Sequence, residues 1–265
     1  MKLKIAAIGF LLITIFSAQR AAANLMAKAD SLFEQRSAVF DANKILADNA
    51  NINQSISLYK KIHDTSADAK VKQEAAWKIL QAYFFKAMFT TTVDKEKVKI
   101  FSEGVAIGKK LVEEFPESVA VNSWFGIVLG YMGEYDSKLS SAKNGIPGKV
   151  KKIAEKVIAL DPNYLGASGY RMYGRLHYIV PSVPLVMSWP SKKKSIEYLE
   201  KACIIAPDYL INQLYLAEVL LDQKQTERAV KILESIIHTR EICHGIALDT
   251  FIKRRAKVLL EKASP

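Results

Sequence analysis

Three prolines, Pro116, Pro162 and Pro207, stand 46 and 45 residues apart. Three aromatics, Trp77, Trp124 and Tyr170, keep almost the same step, 47 and 46 residues. The stretch "ALDPNYLGA" at 159–167 returns as "IAPDYLIN" at 205–212. A chain with such a period is a stack of similar units, because each unit buries its apolar face only against the next. Proline suits the boundaries, since it cannot continue a helix yet can open one. Asp161, just before Pro162, is expected to cap that opening turn.

The unit is a helix pair. Leu214, Leu216, Ala217, Leu220 and Leu221 recur at helical spacing, and Ala229, Ile232, Leu233, Ile236 and Ile237 form the next stripe. Between them Asp222–Thr226 is a short polar turn. Residues 213–241 fit the tetratricopeptide pattern, with Ala217 and Ala229 small where the helices cross; Pro207 to Glu241 is one 34-residue period. Upstream, Trp77, Leu80 and Phe84, then Trp124, Ile127 and Tyr131, then Tyr170, Tyr173, Gly174 and His177 mark first helices of units longer by 11 or 12 residues. The extra residues fall at about 90–96, 134–148 and 180–192, between the two helices of a unit. Insertions at one topological place emerge on one edge, where repeat proteins often bind. A degenerate pair at about 25–40 and 52–63 precedes them, and a basic helix at about 243–262 ends the stack as a cap. The expected fold is all-α: a tetratricopeptide-like superhelix of about five helix pairs plus a C-terminal capping helix.

Lys2 and Lys4, the uncharged run Ile5–Phe16 and the Ala21-Ala22-Ala23 site have the order of a cleavable signal peptide over 1–23, leaving one domain over 24–265. An uncleaved anchor is the alternative. Export places the chain in the periplasm or cell envelope. Without Lys2, Lys4 and Arg20 the net charge falls from +11 to +8. That balance suits acidic partners or a peripheral contact with anionic membrane, or simply solvated helix faces. The basic runs 192–194 and 253–255 are too short and too far apart to argue for nucleic acid. Cys203 and Cys243 fall two helix pairs apart, so two buried free thiols are expected. Cys243-His244 has no second ligand pair at metal spacing, so no metal and no cofactor is expected.

The block "GYRMYGRLHYIVPSVPL…KKKSIEYLEKACIIAPDYLINQLYLAEVLL", with "ALDPNYLGASGYR" before it, resembles the TatT family, the T-components of tripartite ATP-independent periplasmic transporters. The resemblance rests on Arg171, Gly174-Arg175-Leu176, Pro181, Tyr198–Ala202, Ala206–Leu210, Asn212 and Leu216-Ala217-Glu218, and covers about 120–240. Regulator-of-microtubule-dynamics proteins share much of the pattern. It implies repeats enclosing a pore or groove, and a solute-binding protein of a transporter as partner. The lipidated members carry a signal-peptide Cys that this chain lacks.

First helices line the concave side of such a superhelix. In the helix at 170–178, packing takes Tyr170, Tyr173, Gly174 and His177, which leaves Arg171, Arg175 and Tyr178 for the groove. Arg171 and Arg175, four apart, share one helix face. Arginine forks bind carboxylates, so a carboxylated or small apolar ligand is one expectation. A structural salt bridge to Glu218 on the next first helix is the other. The apolar loop "YIVPSVPLVMSWP" either folds on the groove or meets a partner, with Trp189 its main anchor, or packs as a plug on its own helices. Trp77, Trp124, Tyr131 and His177 read as core; His63 and His238 stand alone, His238 near a helix C-terminus. No nucleophile–base pair, H-E-x-x-H or Walker loop is present. The function expected is a non-enzymatic adaptor for a solute-binding protein or another envelope protein, or a scaffold without ligand. The oligomeric state stays open.

Overall fold

A computed structural model describes residues 20–181 and 189–263. The signal-peptide expectation falls largely on 1–19 and the centre of the apolar loop on 182–188, both outside the described residues.

Helices account for nearly all of it. In chain order they are α1 (20–34), α2 (Ala50–Thr65), α3 (Ala69–Phe89), α4 (Asp94–Glu114), α5 (Val119–Tyr135), α6 (Lys138–Lys143), α7 (Ile146–Leu160), α8 (Tyr164–Ile179), α9 (Lys192–Ile205), α10 (Leu210–Asp222), α11 (Thr226–His238) and α12 (Ile246–Ala263). One antiparallel ladder of two residues per strand, Phe40–Asp41 with Leu46–Ala47, joins α1 to α2. The pairs α1/α2, α3/α4, α5/α7, α8/α9 and α10/α11 are the five repeats, and α12 follows them. The expected all-α tetratricopeptide-like superhelix is therefore what forms.

Local chemistry sets the starts. The Asp68 carboxylate accepts from the Lys70 and Val71 amides at the head of α3, and Ser118, Ser137 and Ser191 cap α5, α6 and α9. Small residues set the crossings. Ala217 and Ala229 are fully buried in the α10/α11 pair. A Cβ on Gly174 would lie 2.6 Å from Leu199, so α8 and α9 meet at a distance that only glycine permits. The large side chains Tyr59, Phe89, Phe101, Leu199, Leu214 and Leu233 are sealed from water along the stack.

Several expectations need correction. Asp161 ends α7 instead of opening α8, and its carboxylate accepts from the Asn163 amide. Cys203 and Cys243 are free as expected, but Cys203 is only half-buried and Cys243 is exposed, because it lies in the turn before α12. Trp77 is half-buried at the edge of the core. His63 is not alone: its ring contacts the carboxylates of Asp64 at 3.0 Å and Glu114 at 2.9 Å. His238 does lie in the last turn of α11, its Nδ1 2.8 Å from the Glu234 carbonyl.

Candidate ligand cavity

The concave side encloses a cavity of about 430 Å³, within the range of small-molecule sites. Its walls are mostly apolar: Phe84 of α3, Trp124, Ile127 and Tyr131 of α5, Ile146 and Val150 of α7, Met172 and Leu176 of α8, Ile211 and Tyr215 of α10, and Leu248 of α12. Gly126, Gly130 and Gly133 give α5 a bare stripe along one wall. A Cβ on Gly130 would meet nothing within 4 Å, whereas one on Gly126 would strike Met172 and Ile153. The stripe thus packs at its ends and leaves open space at its middle.

The cavity follows α8. Arg171 lines it near the start of that helix, Arg175 one turn on, then Ile179, Val180 and Pro181 at the insertion edge. From Arg171 to Val180 the helical rise is about 14 Å.

The two arginines are held very differently. Arg175 donates to Glu134 through Nε (3.1 Å) and Nη2 (2.8 Å), and through Nη1 to Glu218. Glu218, only 3% exposed in its side chain, also accepts from Arg255 of α12. The four residues form a row of alternating charge. Burial works against a charged guanidinium, but Glu134 and Glu218 outweigh it and hold the Arg175 pKa well above its ordinary value. Arg175 also stacks over Tyr215 at 4.4 Å. The Tyr215 hydroxyl meets that of Tyr131 at 2.7 Å, and burial pushes both phenols up, Tyr215 to about 12.

Arg171 is 6% exposed and has no carboxylate partner among the described residues. Its Nη1 donates to the carbonyls of Leu165 (3.2 Å) and Gly166 (3.1 Å) and to Asn212 Oδ1 (3.0 Å). Those carbonyls are presented by a left-handed turn, with φ of 49°, 60° and 60° at Leu165, Gly166 and Ala167. Only Gly166 fits this turn without strain, and a Cβ there would lie 2.4 Å from the Tyr209 ring. Asn212 completes the cage by donating to the carbonyls of Gly166 (3.0 Å) and Ala202 (3.1 Å). The guanidinium lies 4.9 Å from the centre of the Tyr209 ring.

The other expected site residues fall outside the cavity wall. Tyr178 is half-buried beside it, with Arg175 at 5.5 Å and Lys192 at 4.4 Å from its ring. Trp189 packs on the main core beside His177, with Lys151 at 5.7 Å from its ring, and its buried indole N–H has no acceptor among the described residues. His177 is a satisfied core residue: Nδ1 accepts from the Ser191 amide at 3.0 Å, and burial, then Lys194 and Lys151, lower its pKa to about 4. Of the residues that decide the state of the two arginines, Glu134 was not singled out by the sequence, and Asn212 entered only through the family resemblance, with no role given to it. Among the described residues no cluster of His, Cys, Asp and Glu could hold a metal ion, and no helix is long and apolar enough to cross a membrane.

Among known proteins, residues 25–264 match the family described as regulator of microtubule dynamics protein 1-3. Regulator of microtubule dynamics protein 1 of Bos taurus is 25% identical over 131 residues, which is 49% of this chain and 38% of the bovine protein. The match therefore spans well under half of that relative's length. Among solved structures, a thermophilic tetratricopeptide-repeat protein of Thermus thermophilus superposes with a TM-score of 0.61 at 12% identity, covering 91% of this chain and 99% of the other. That likeness establishes the fold.

Proposed function

The chain belongs to the regulator of microtubule dynamics protein 1-3 family, and from that premise we propose that it is a non-enzymatic binding protein that holds a small, mostly apolar carboxylate in its cavity and engages a partner protein through its repeats. The observation that carries this is Arg171, without a carboxylate partner among the described residues, in the wall of an apolar cavity of about 430 Å³. A buried guanidinium bonded only to neutral oxygens still favours an anion beside it. Arg175 is matched by two carboxylates and is a poor candidate for a second anion. A ligand would lay its carboxylate against Arg171 and its apolar part along α8 toward the insertion edge.

The finer proposal places this protein in the periplasm or cell envelope, with a transporter's solute-binding protein as partner, as in the TatT family. It is supported by the signal-peptide order of residues 1–23 and by the "ALDPNYLGASGYR" and "APDYLIN" blocks that build the Arg171 cage. Trp189 and Tyr178, near the insertion edge, are the proposed partner contacts, and Glu218 has the role of holding Arg175.

Titration with a fluorescent medium-chain carboxylate tests the ligand. Wild type binds it, while Gly130→Leu, which fills the open middle of the cavity, and Arg171→Met both lose it. Binding unchanged in both variants, or none in wild type, would leave a scaffold without ligand. Affinity capture from the protein's own cell envelope, with wild type beside Trp189→Ala, tests the partner. If no solute-binding protein is retained by wild type, the transporter link fails.

A further inference from the structure

Charge is not spread evenly over this solenoid. The helix ends and connections at the insertion edge, residues 86–99, 134–152 and 175–194, carry 13 Lys or Arg against 4 Asp or Glu. The corresponding ends at the opposite edge, residues 109–117, 155–163 and 200–208, carry 4 against 7. In the three middle repeats the connections on one edge are thus net positive and those on the other net negative, and the positive edge is the one the cavity reaches through Asp136, Ser141, Pro147 and Pro181.

The placement of these lysines opposes helix stability. Lys149 lies in the first turn of α7, and Lys193 and Lys194 in that of α9; neither first turn has an acidic residue. Cations at a helix N-terminus meet the positive end of the helix dipole and are unfavourable there. Lys143, Lys149, Lys193 and Lys194 are all exposed, and none has a carboxylate partner among the described residues. Lys151 of α7 lies 5.7 Å from the ring of Trp189, three residues before α9, so the starts of α7 and α9 both face this rim. Near Lys143, on α6, Leu139 is 81% exposed.

We propose that this rim docks on an anionic membrane surface, with the lysines among the lipid headgroups and Leu139 reaching below them. Lysine suits that occupant: a flexible point charge attracts a fluid layer of phosphates and needs no fixed fork geometry. An exposed leucine between lysines adds apolar insertion, which a purely acidic protein surface would not use. Docking in this orientation turns the cavity mouth toward the bilayer. The inference stands whether or not the cavity holds a ligand.

Co-sedimentation of the full chain with vesicles tests it. Vesicles of phosphatidylcholine with about 20% phosphatidylserine should retain the protein at low salt, and phosphatidylcholine alone should not. Raising the salt to about 0.5 M should release it. The rim variant Lys143→Glu/Lys149→Glu/Lys193→Glu/Lys194→Glu should lose roughly a hundredfold or more in affinity. The opposite-edge variant Lys61→Glu/Lys70→Glu/Lys109→Glu/Lys110→Glu, with the same change of net charge, should lose far less. Circular dichroism checks that both remain helical. Leu139→Asp should weaken binding with no loss of positive charge. Failure of the wild type to bind anionic vesicles, or equal losses in the two quadruple variants, overturns the proposal. Retention of an acidic polypeptide such as polyglutamate with no vesicle binding overturns it in favour of a protein partner.

Discussion

Arg171 and Arg175 point into one cavity from one helix face, four residues apart, yet their surroundings have little in common. Arg175 is locked between two carboxylates that α5 and α10 bring to it, and Arg255 continues the row to α12. Arg171 is caged by two carbonyls and one amide oxygen. The first arrangement neutralises charge and ties four helices together. The second positions charge without cancelling it. Identical side chains at identical spacing therefore serve opposite ends, and the neighbouring helices decide which is which.

The sharpest way to break this contrast is to remove the shared carboxylate. Glu218→Ala leaves Arg175 with Glu134 alone and takes the carboxylate from the half-exposed Arg255, and should lower stability by about 2–4 kcal/mol in a denaturant titration. A loss below about 1 kcal/mol would mean the row is an ordinary surface network. Gly166→Ala forces a methyl into a left-handed turn and against Tyr209, at about 2–3 kcal/mol; equal stability to wild type would mean the cage is not built on that turn. Arg171→Met removes three hydrogen bonds and should cost about 1–3 kcal/mol, less than Glu218→Ala, while carboxylate binding is lost. If it proved the more destabilising of the two, the assignment of a structural and a ligand-facing arginine would be reversed. Gly130→Ala should stabilise by roughly 0.5–1 kcal/mol, since the added methyl meets open space and the helix gains propensity.

The smallest effect is one of pH. The neutral His177 ring accepts from the Ser191 amide, and its pKa is lowered to about 4 in the fold. The unfolded chain then binds the proton first. Above about pH 6.5 the ring is neutral in both states and adds no pH dependence; as pH falls from there to about 4, stability declines. His177→Gln, compared with wild type across that window, should flatten this part of the stability profile.

Much of the frame was legible because short-range periodicity wrote it. Ala217 and Ala229 announced a close helix crossing, and the spacing of Arg171 and Arg175 put them on one face. What decided their states lay beyond that range. Glu134 is 41 residues from Arg175, and Asn212 is 41 from Arg171. Repeat spacing places helices but not the rotation that aims one side chain at another. The left-handed turn was hidden for a different reason. Leu165 and Ala167 are good helix formers, and Gly166 alone hinted at positive φ. The α6 helix escaped because six residues are too few to show a period.

The last helix does not end free. Phe251 of α12 meets Phe89 with ring centres 6.5 Å apart, and Arg254 donates to the Asn43 carbonyl at 2.8 Å and to that of Ala42 in the first hairpin. An open stack of repeats frays from its termini and can nucleate anywhere. Tying the tail to the head, across more than two hundred residues, gives this chain contacts of very high sequence separation. Such contacts slow folding, since the loop must close before they form. They also make the first and last repeats share one fate: loosening either terminus releases the other, and the stack opens as a unit.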